Sequence, residues 1–355
     1  MNEQKYLMEL EIALKKLNPN ERKDILRDFK EYFENGKREG KSVEDIISSF
    51  GPAEEIADEL LKAYSKEEFV SNEELEPIDS EQFQKVQIKA NGANVILKSS
   101  KDDKVYSSIK DPEEKTNVHI QNVDGVLHVN ITRTESYRKF LFFKIGLNIF
   151  NNSTVTLQIP ERLYNHISIH NENGFIKLVK LQSKDIKLET DNGRIELDNI
   201  LASDGEFKTD NGRIVGDHCH FTSIYAETDN GRVEFSNCNI NISKLRTDNG
   251  RIELTSLIGE IDARTDNGRI EMYVPKIEHP IHLETDMGGI QLFTDQIMTN
   301  GSIRAESDMG KVEIYGQKSR NIVYGNGKPK VNLTTDMGKI TVGLKSEMDL
   351  TTSSL

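Results

Sequence analysis

Cysteine is scarce in this chain: Cys219 and Cys238 are the only two in 355 residues. Two thiols cannot build a disulfide framework, and without C-x-x-C spacing they do not form a structural metal site. Long apolar runs are missing as well. The densest, "FLFFKIGLNIF" at 140–150, carries Lys144 and is far shorter than the roughly 20 residues that span a bilayer. The opening residues, "MNEQKYLMELEIALKKLNPN", show no basic segment followed by an apolar core, so no secretion signal is expected. Positive charge is short too: 46 Lys and Arg face 59 Asp and Glu, a formal net charge of −13. Such a chain is repelled by nucleic-acid phosphates and by bare anionic membrane, which makes nucleic acid a poor partner. Histidines are scattered; His218 and His220, flanking Cys219, read as part of a surface turn rather than a metal site.

What is present begins with helical periodicity. Leu7, Leu10, Leu14 and Leu17 make one apolar stripe, and Asn18 and Pro19 end that helix and start the next. Ile25, Leu26, Phe29, Tyr32 and Phe33 continue the pattern to Gly36. Ser42 to Asp45 reads as a cap before Ile46 and Ile47, and Pro52 opens a last helix carrying Ile56, Leu60 and Leu61. Four short helices over residues 1–64 are predicted. The acidic stretch 65–82, with Pro77 and no sustained period, reads as a solvated linker, and 346–355 as a tail.

The rest of the chain repeats itself. "TDNG" begins at Thr190, Thr209, Thr228, Thr247 and Thr265, "TDMG" at Thr285 and Thr335, and "SDMG" at Ser307, with steps of 19, 19, 19, 18, 20, 22 and 28 residues. "NENG" at 171 is a degenerate ninth copy. A fixed period of this kind marks a stacked repeat architecture. Two residues before each Thr or Ser, and five and mostly seven after it, the chain is apolar (Leu188, Ile195 and Leu197 in the first full copy), so each flanking strand buries one face. Glu196, Glu234, Glu253 and Glu271 then point outward.

Two folds accommodate this pattern. In an antiparallel meander, Asn-Gly is a type I′ hairpin turn; in a β-solenoid, Asp-Asn-Gly is a corner, and each unit lies on the next at about 4.8 Å. A type I′ turn needs positive φ at both central residues, which Met287, Met309 and Met337 would resist, so only the Gly is expected to need it. The predicted fold is therefore mainly β, an elongated solenoid of about nine rungs over residues 83–345, with a small all-α domain before it. "KVQIKANGANVILKSS" and "TNVHIQNVDGVLHVNITR" read as strand pairs capping its N-terminal end. Cys219 and Cys238, each ten residues after its own Thr, become stacked neighbours within the Cα range of about 4.4 to 6.8 Å that a disulfide allows, or, in a reducing cytosol, two small buried or half-buried side chains.

The candidate site residues are those of the corner: Asp191, Asn192, Gly193 and Arg194; Asp210, Gly212 and Arg213; Asp229, Gly231 and Arg232; Asp248, Gly250 and Arg251; Asp266, Gly268 and Arg269. Stacked carboxylates repel by about 0.9 kcal/mol per pair even in water, and the Arg column three residues on is expected to offset this. The role is read as structural. One Asp beside an Arg offers too few oxygens for Ca²⁺, and near-equivalent carboxylates lack the contrast of a catalytic pair. No catalytic residue, metal or cofactor is expected. Phe140, Phe142, Phe143 and Lys144 read as a buried strand or cap, or, in the sharper reading, as a basic aromatic loop touching a membrane or partner.

Two resemblances sit on these residues. "FGPAEEIA" at 50–57 and "DFKEYF" at 28–33 resemble the HAAS signalling domain of bacterial membrane and regulatory proteins, an interaction module without catalytic residues. "TDNGRIEL" and "STVTLQIPERLYNHISIHNENGFIKL" at 153–178 resemble the bacterial putative-adhesin family of β-strand repeats of unknown function, whose members often accompany cell-envelope stress systems. The resemblance implies a non-enzymatic binding or scaffolding protein of envelope stress sensing or signalling. The helical domain would dock a protein partner and the β domain an envelope or membrane component, from a cytoplasmic position close to the membrane. A surface adhesin is the alternative, and a carbohydrate-active β-helix enzyme ranks below it.

Overall fold

The structure, a computed structural model, describes residues 2–16, 22, 25–27, 29–30, 33, 36–37, 41–57, 83–111, 116–133 and 153–347. The chain divides into two compact units, one helical and one β.

In the helical unit, α1 (Glu3–Ala13) is capped by Asn2, whose side chain accepts from the Lys5 N–H at 2.8 Å, and α2 (Val43–Phe50) by Ser42, which accepts from the Asp45 N–H at 3.1 Å. Further helical residues lie between 22 and 37 and at 53–57. The apolar stripe read from the sequence converges on one core. Tyr6, Phe29, Phe33 and Phe50 pack ring against ring at centroid distances of 5.0 to 6.4 Å, with Leu7, Leu10, Leu14 and Ile46 around them. Leu17, Asn18, Pro19, Tyr32, Leu60, Leu61 and the acidic stretch 65–82 lie outside the described residues. Among the described residues no helix is long and apolar enough to cross a membrane.

The β unit is a solenoid. Among the described residues twenty-five strands, β1 to β25 in chain order, form a 13-stranded and a 12-stranded sheet, and successive repeats pair in parallel and in register, Thr190 with Thr209 and Thr209 with Thr228. The meander is thereby excluded. Each rung places a long strand in one sheet and a short strand in the other, joined at the corner. β7 (Leu163–Asn173) and β8 (Ile176–Val179) make the first rung of a regular run that ends with β19 (Ile281–Met287) and β20 (Ile290–Thr294). Inward residues fill a continuous core: Ile195, Ile214, Val233, Ile252 and Ile270 are fully buried, as are Leu188, Phe207, Ala226 and Leu245. In this second column the small Ala226 lies between the larger Phe207 and Leu245.

Both ends depart from the sequence reading. β1 (Lys85–Asn91) and β2 (Asn94–Ser100) belong to different sheets, so "KVQIKANGANVILKSS" is a tenth rung rather than a capping pair, with Ala93 at the corner. The antiparallel pair of β4 (Thr116–Val123) and β5 (Val126–Arg133) does close the 13-stranded sheet at that end. At the other end the chain order is inverted. β24 (Lys330–Met337) and β25 (Ile340–Leu344) are inserted between β19–β20 and the rung of β21 (Gly301–Ser307) and β22 (Val312–Ile314), and antiparallel β23 (Asn321–Tyr324) covers β21. The last repeat in sequence is thus an interior rung.

Candidate functional site

The Thr, Asn and Gly of "TDNGRIEL" each have a place at the corner. The Thr hydroxyl is buried and donates to the carbonyl of the corner Gly in the preceding rung: Thr209 to Gly193 at 2.8 Å, Thr228 to Gly212 at 2.7 Å, Thr247 to Gly231 at 2.9 Å and Thr335 to Gly288 at 2.8 Å. Ser307 does the same with Gly338 at 2.9 Å, and Asn171 of the degenerate copy reaches Ala93 O at 2.9 Å. The Asn side chains form a second ladder, each donating to the Oδ1 of the Asn below, from Asn192 on Asn173 to Asn267 on Asn249, at 3.0 to 3.2 Å. Sequence reasoning missed the Thr and did not assign the Asn a ladder. Their signal was available: a polar residue constant at a position flanked by core residues is buried, and buried polar groups are hydrogen-bonded.

The Gly is needed for closeness, not for positive φ. Gly193, Gly212, Gly231 and Gly250 lie outside the left-handed region, but a Cβ on any of them would fall 1.7 to 2.1 Å from the corner carbonyl of the rung before. This corrects the φ argument while leaving its conclusion, a corner, intact. Left-handed backbone sits at the opposite corner, at Lys180, Asn199, His218, Asn237 and Ser256, with φ between 52° and 55°. His218 and His220 are exposed there; Cys219 and Cys238 are buried free thiols in successive rungs.

Arg194, Arg232, Arg251 and Arg269 turn to the Glu two residues on, at 2.6, 3.5, 3.8 and 2.8 Å, along the outer face of the short-stranded sheet. These Glu face outward as expected but are only 18 to 25 % exposed. Burial works against the Glu196 carboxylate, yet Arg194 and Lys177 outweigh it and hold it below the usual range. At Glu271 burial prevails, helped by Glu253, and the carboxyl is raised. Asp191, Asp210, Asp229 and Asp248 remain exposed, and desolvation together with Asp229 and Asp266 raises Asp248. The long-stranded sheet carries a separate charge lattice, in which Lys187 bridges Glu189 at 2.8 Å and Glu206 at 3.6 Å, and Lys208 bridges Glu206 and Glu227.

A concave site arises where the period breaks down. In the regular rungs one left-handed residue turns the far corner. Beyond Ser256 longer connections, 274–280 and 295–300, take its place. With Tyr315 and Lys328–Lys330 they enclose a groove of about 880 Å³. Its floor is apolar (Ile261, Ile281, Met298) and its rim carries Lys276, Lys330, Glu260 and Asn332. An apolar floor with a few polar groups is the usual make-up of a ligand site. Sequence reading saw the steps lengthen to 20, 22 and 28 residues without assigning the extra residues a role. Phe140, Phe142, Phe143 and Lys144 lie outside the described residues.

Residues 5–59 match the HAAS family. Among solved structures the chain is similar to a "putative cell adhesion protein" from Clostridium sporogenes ATCC 15579, with 13 % identity, 77 % of this chain and 99 % of that one covered, and a TM-score of 0.26. It is also similar to a "putative adhesin" from Bacteroides fragilis NCTC 9343, with 13 % identity, 77 % and 98 % covered, and a TM-score of 0.37. No curated protein matches. The Toastrack DUF4097 family matches residues 83–343, most of the chain, and the protein belongs to that family.

Proposed function

We propose that the protein is a non-enzymatic binding or scaffolding protein of cell-envelope stress sensing, in which the helical unit docks a protein partner and the β unit takes an envelope component. The observation that carries this reading is the groove: the repeat motif is consumed by the corner, and the lengthened connections 274–280 and 295–300 coincide with a concave surface. The corner carboxylates offer a catalytic pair little to work with, because they are near-equivalent and exposed, without the contrast of environment that separates an acid from a base. The net charge of −13 disfavours nucleic acid, and the mixed lining, in which Lys276, Lys328 and Lys330 stand against Glu260, Asp262 and Glu278, suits a polar, hydroxyl-rich ligand.

The test uses the full chain. Retention on cell-wall glycan and on anionic liposomes is measured for the parent and for Lys276→Glu/Lys330→Glu, and in-cell cross-linking maps protein contacts. Protein cross-links within residues 2–57, and retention lost in the double variant, are expected. Depolymerisation of a glycan by the parent would sink the non-enzymatic reading. Labelling of the chain on intact cells would transfer the same groove to a surface adhesin.

A further inference from the structure

The asparagine ladder does not run the length of the solenoid. At its C-terminal end the same corner position holds Met287, Met337 and Met309, in that spatial order. Met287 and Met337 are register partners, and the Met309 N–H donates to Asp336 O at 2.9 Å, as the Asn211 N–H does to Asp191 O in the regular rungs. The three repeats follow one another in sequence, and the insertion of the last beneath the one before it exchanges Met309 and Met337, which puts Met337 in the middle. A thioether cannot take part in an amide ladder, and these side chains are not core: Met287, Met337 and Met309 are 49, 50 and 77 % exposed, whereas Met272 and Met298 are buried.

We propose that this methionine column is a binding site for a soft monovalent cation of the copper(I) type. Parallel in-register strands place successive Cα atoms about 4.8 Å apart. Three rotatable bonds let each polarisable thioether swing toward a common point outside the middle rung, and thioether sulfur selects copper(I) over harder cations. The Asp column continues through Asp286, Asp336 and Asp308; Asp286 is paired with Arg264 at 3.7 Å, so Asp336 and Asp308 are the carboxylates that add negative charge near a cation whose ligands are neutral. The Arg column has ended there: its positions hold Gly289, Lys339 and Lys311, and Lys339 is turned to Glu313 at 3.2 Å. No group of three His, Cys, Asp or Glu suited to a metal occurs among the described residues, so the column does not compete with a harder site of that kind.

The experiment is an anaerobic titration of the reduced full-length chain with copper(I) against a coloured copper(I) chelator. Three proteins are compared: the parent, Met287→Asn/Met309→Asn/Met337→Asn, and Cys219→Ala/Cys238→Ala. Asn is the repeat's own residue at the corner, so the triple variant keeps the fold, which circular dichroism checks. One equivalent bound by the parent and by the cysteine variant, and lost from the methionine variant, is expected. Met337→Asn alone, lacking the middle ligand, weakens binding by about tenfold or more, since outer-shell changes already cost 10–100-fold. Unchanged uptake by the triple variant, loss in the cysteine variant, or no uptake by the parent would each overturn the site. Zinc taken up by the same residues would overturn its soft-donor basis.

Discussion

Thr209 Oγ1 donates to the carbonyl oxygen of Gly193 at 2.8 Å, sixteen residues back in the chain and one rung away in the stack. The hydroxyl is buried, so its loss leaves a buried carbonyl short of a partner. Thr209→Val keeps the shape and is expected to cost about 1–2 kcal/mol in denaturant unfolding, with Thr209→Ser closer to the parent. Equal stability of the Val variant would show the ladder to be incidental.

That contact also marks where sequence reading succeeds and where it stops. The core columns were legible because strand alternation is local: Leu188, Ile195 and Leu197 each announce an inward face within one repeat. The corner was located correctly, but Asp and Arg drew attention as charges, whereas Thr and Gly hold the rungs together. Charge is visible in a string of letters; the approach of one backbone to another is not. Nor was the inverted order at the C-terminal end legible. Units with the same local pattern accept one another in several stacking orders, and the pattern alone does not choose between the copies at Thr335 and Ser307 as neighbour of the one at Thr285.

Gly231 and Gly125 separate two reasons for glycine. A Cβ on Gly231 would meet Gly212 O at 1.9 Å, with backbone φ outside the left-handed region; a Cβ on Gly125 would meet nothing within 4 Å, but φ there is +75°. Gly231→Ala must push two rungs apart and is expected to cost about 3 kcal/mol or more, at or beyond the upper end for overpacking. Gly125→Ala is expected to cost about 1 kcal/mol, the penalty of left-handed backbone alone. Thermal unfolding of the two variants checks the ranking, and a reversed order would refute the close-approach account.

The carboxylate column predicts a pH signature. Desolvation, with Asp229 and Asp266 beside it, holds Asp248 above the ordinary Asp value. The folded chain therefore binds this proton more tightly than the unfolded chain does. Ionised Asp248 destabilises the fold at neutral pH, and that cost is relieved as pH falls through the raised folded-state pKa. Asp248→Asn is expected to stabilise the protein at pH 7 by less than about 1 kcal/mol, because the site is exposed. The gain should vanish below about pH 4, near the ordinary Asp pKa, and shrink in high salt. A gain that persists in acid would assign the effect to something other than repulsion.

The stacking order at the C-terminal end gives the last prediction its force. β24 and β25 come last in sequence, yet β24 pairs with β19 on one side and with β21 on the other. A terminal rung can fray without consequence for its neighbours, because repeat arrays interact only with adjacent units. An interior rung cannot. Truncation after Pro329 should therefore strip protection from those amides of Gly301–Ser307 that bond to β24, which precede the cut and remain in the chain, whereas an amide held elsewhere, such as Ala305 on Arg320 O, keeps its partner. Hydrogen exchange on the truncated protein would show those amides exchanging at rates near those of exposed loops, while Ile195–Asp198, several rungs away, stays protected. The competing outcome is specific: if Ser307 redirects its hydroxyl from Gly338 to Gly288, now uncovered, the rung docks one place lower and keeps its protection. That result would show that the corner is a generic adhesive unit and that the inverted order is a preference of the full-length chain rather than a requirement of the fold.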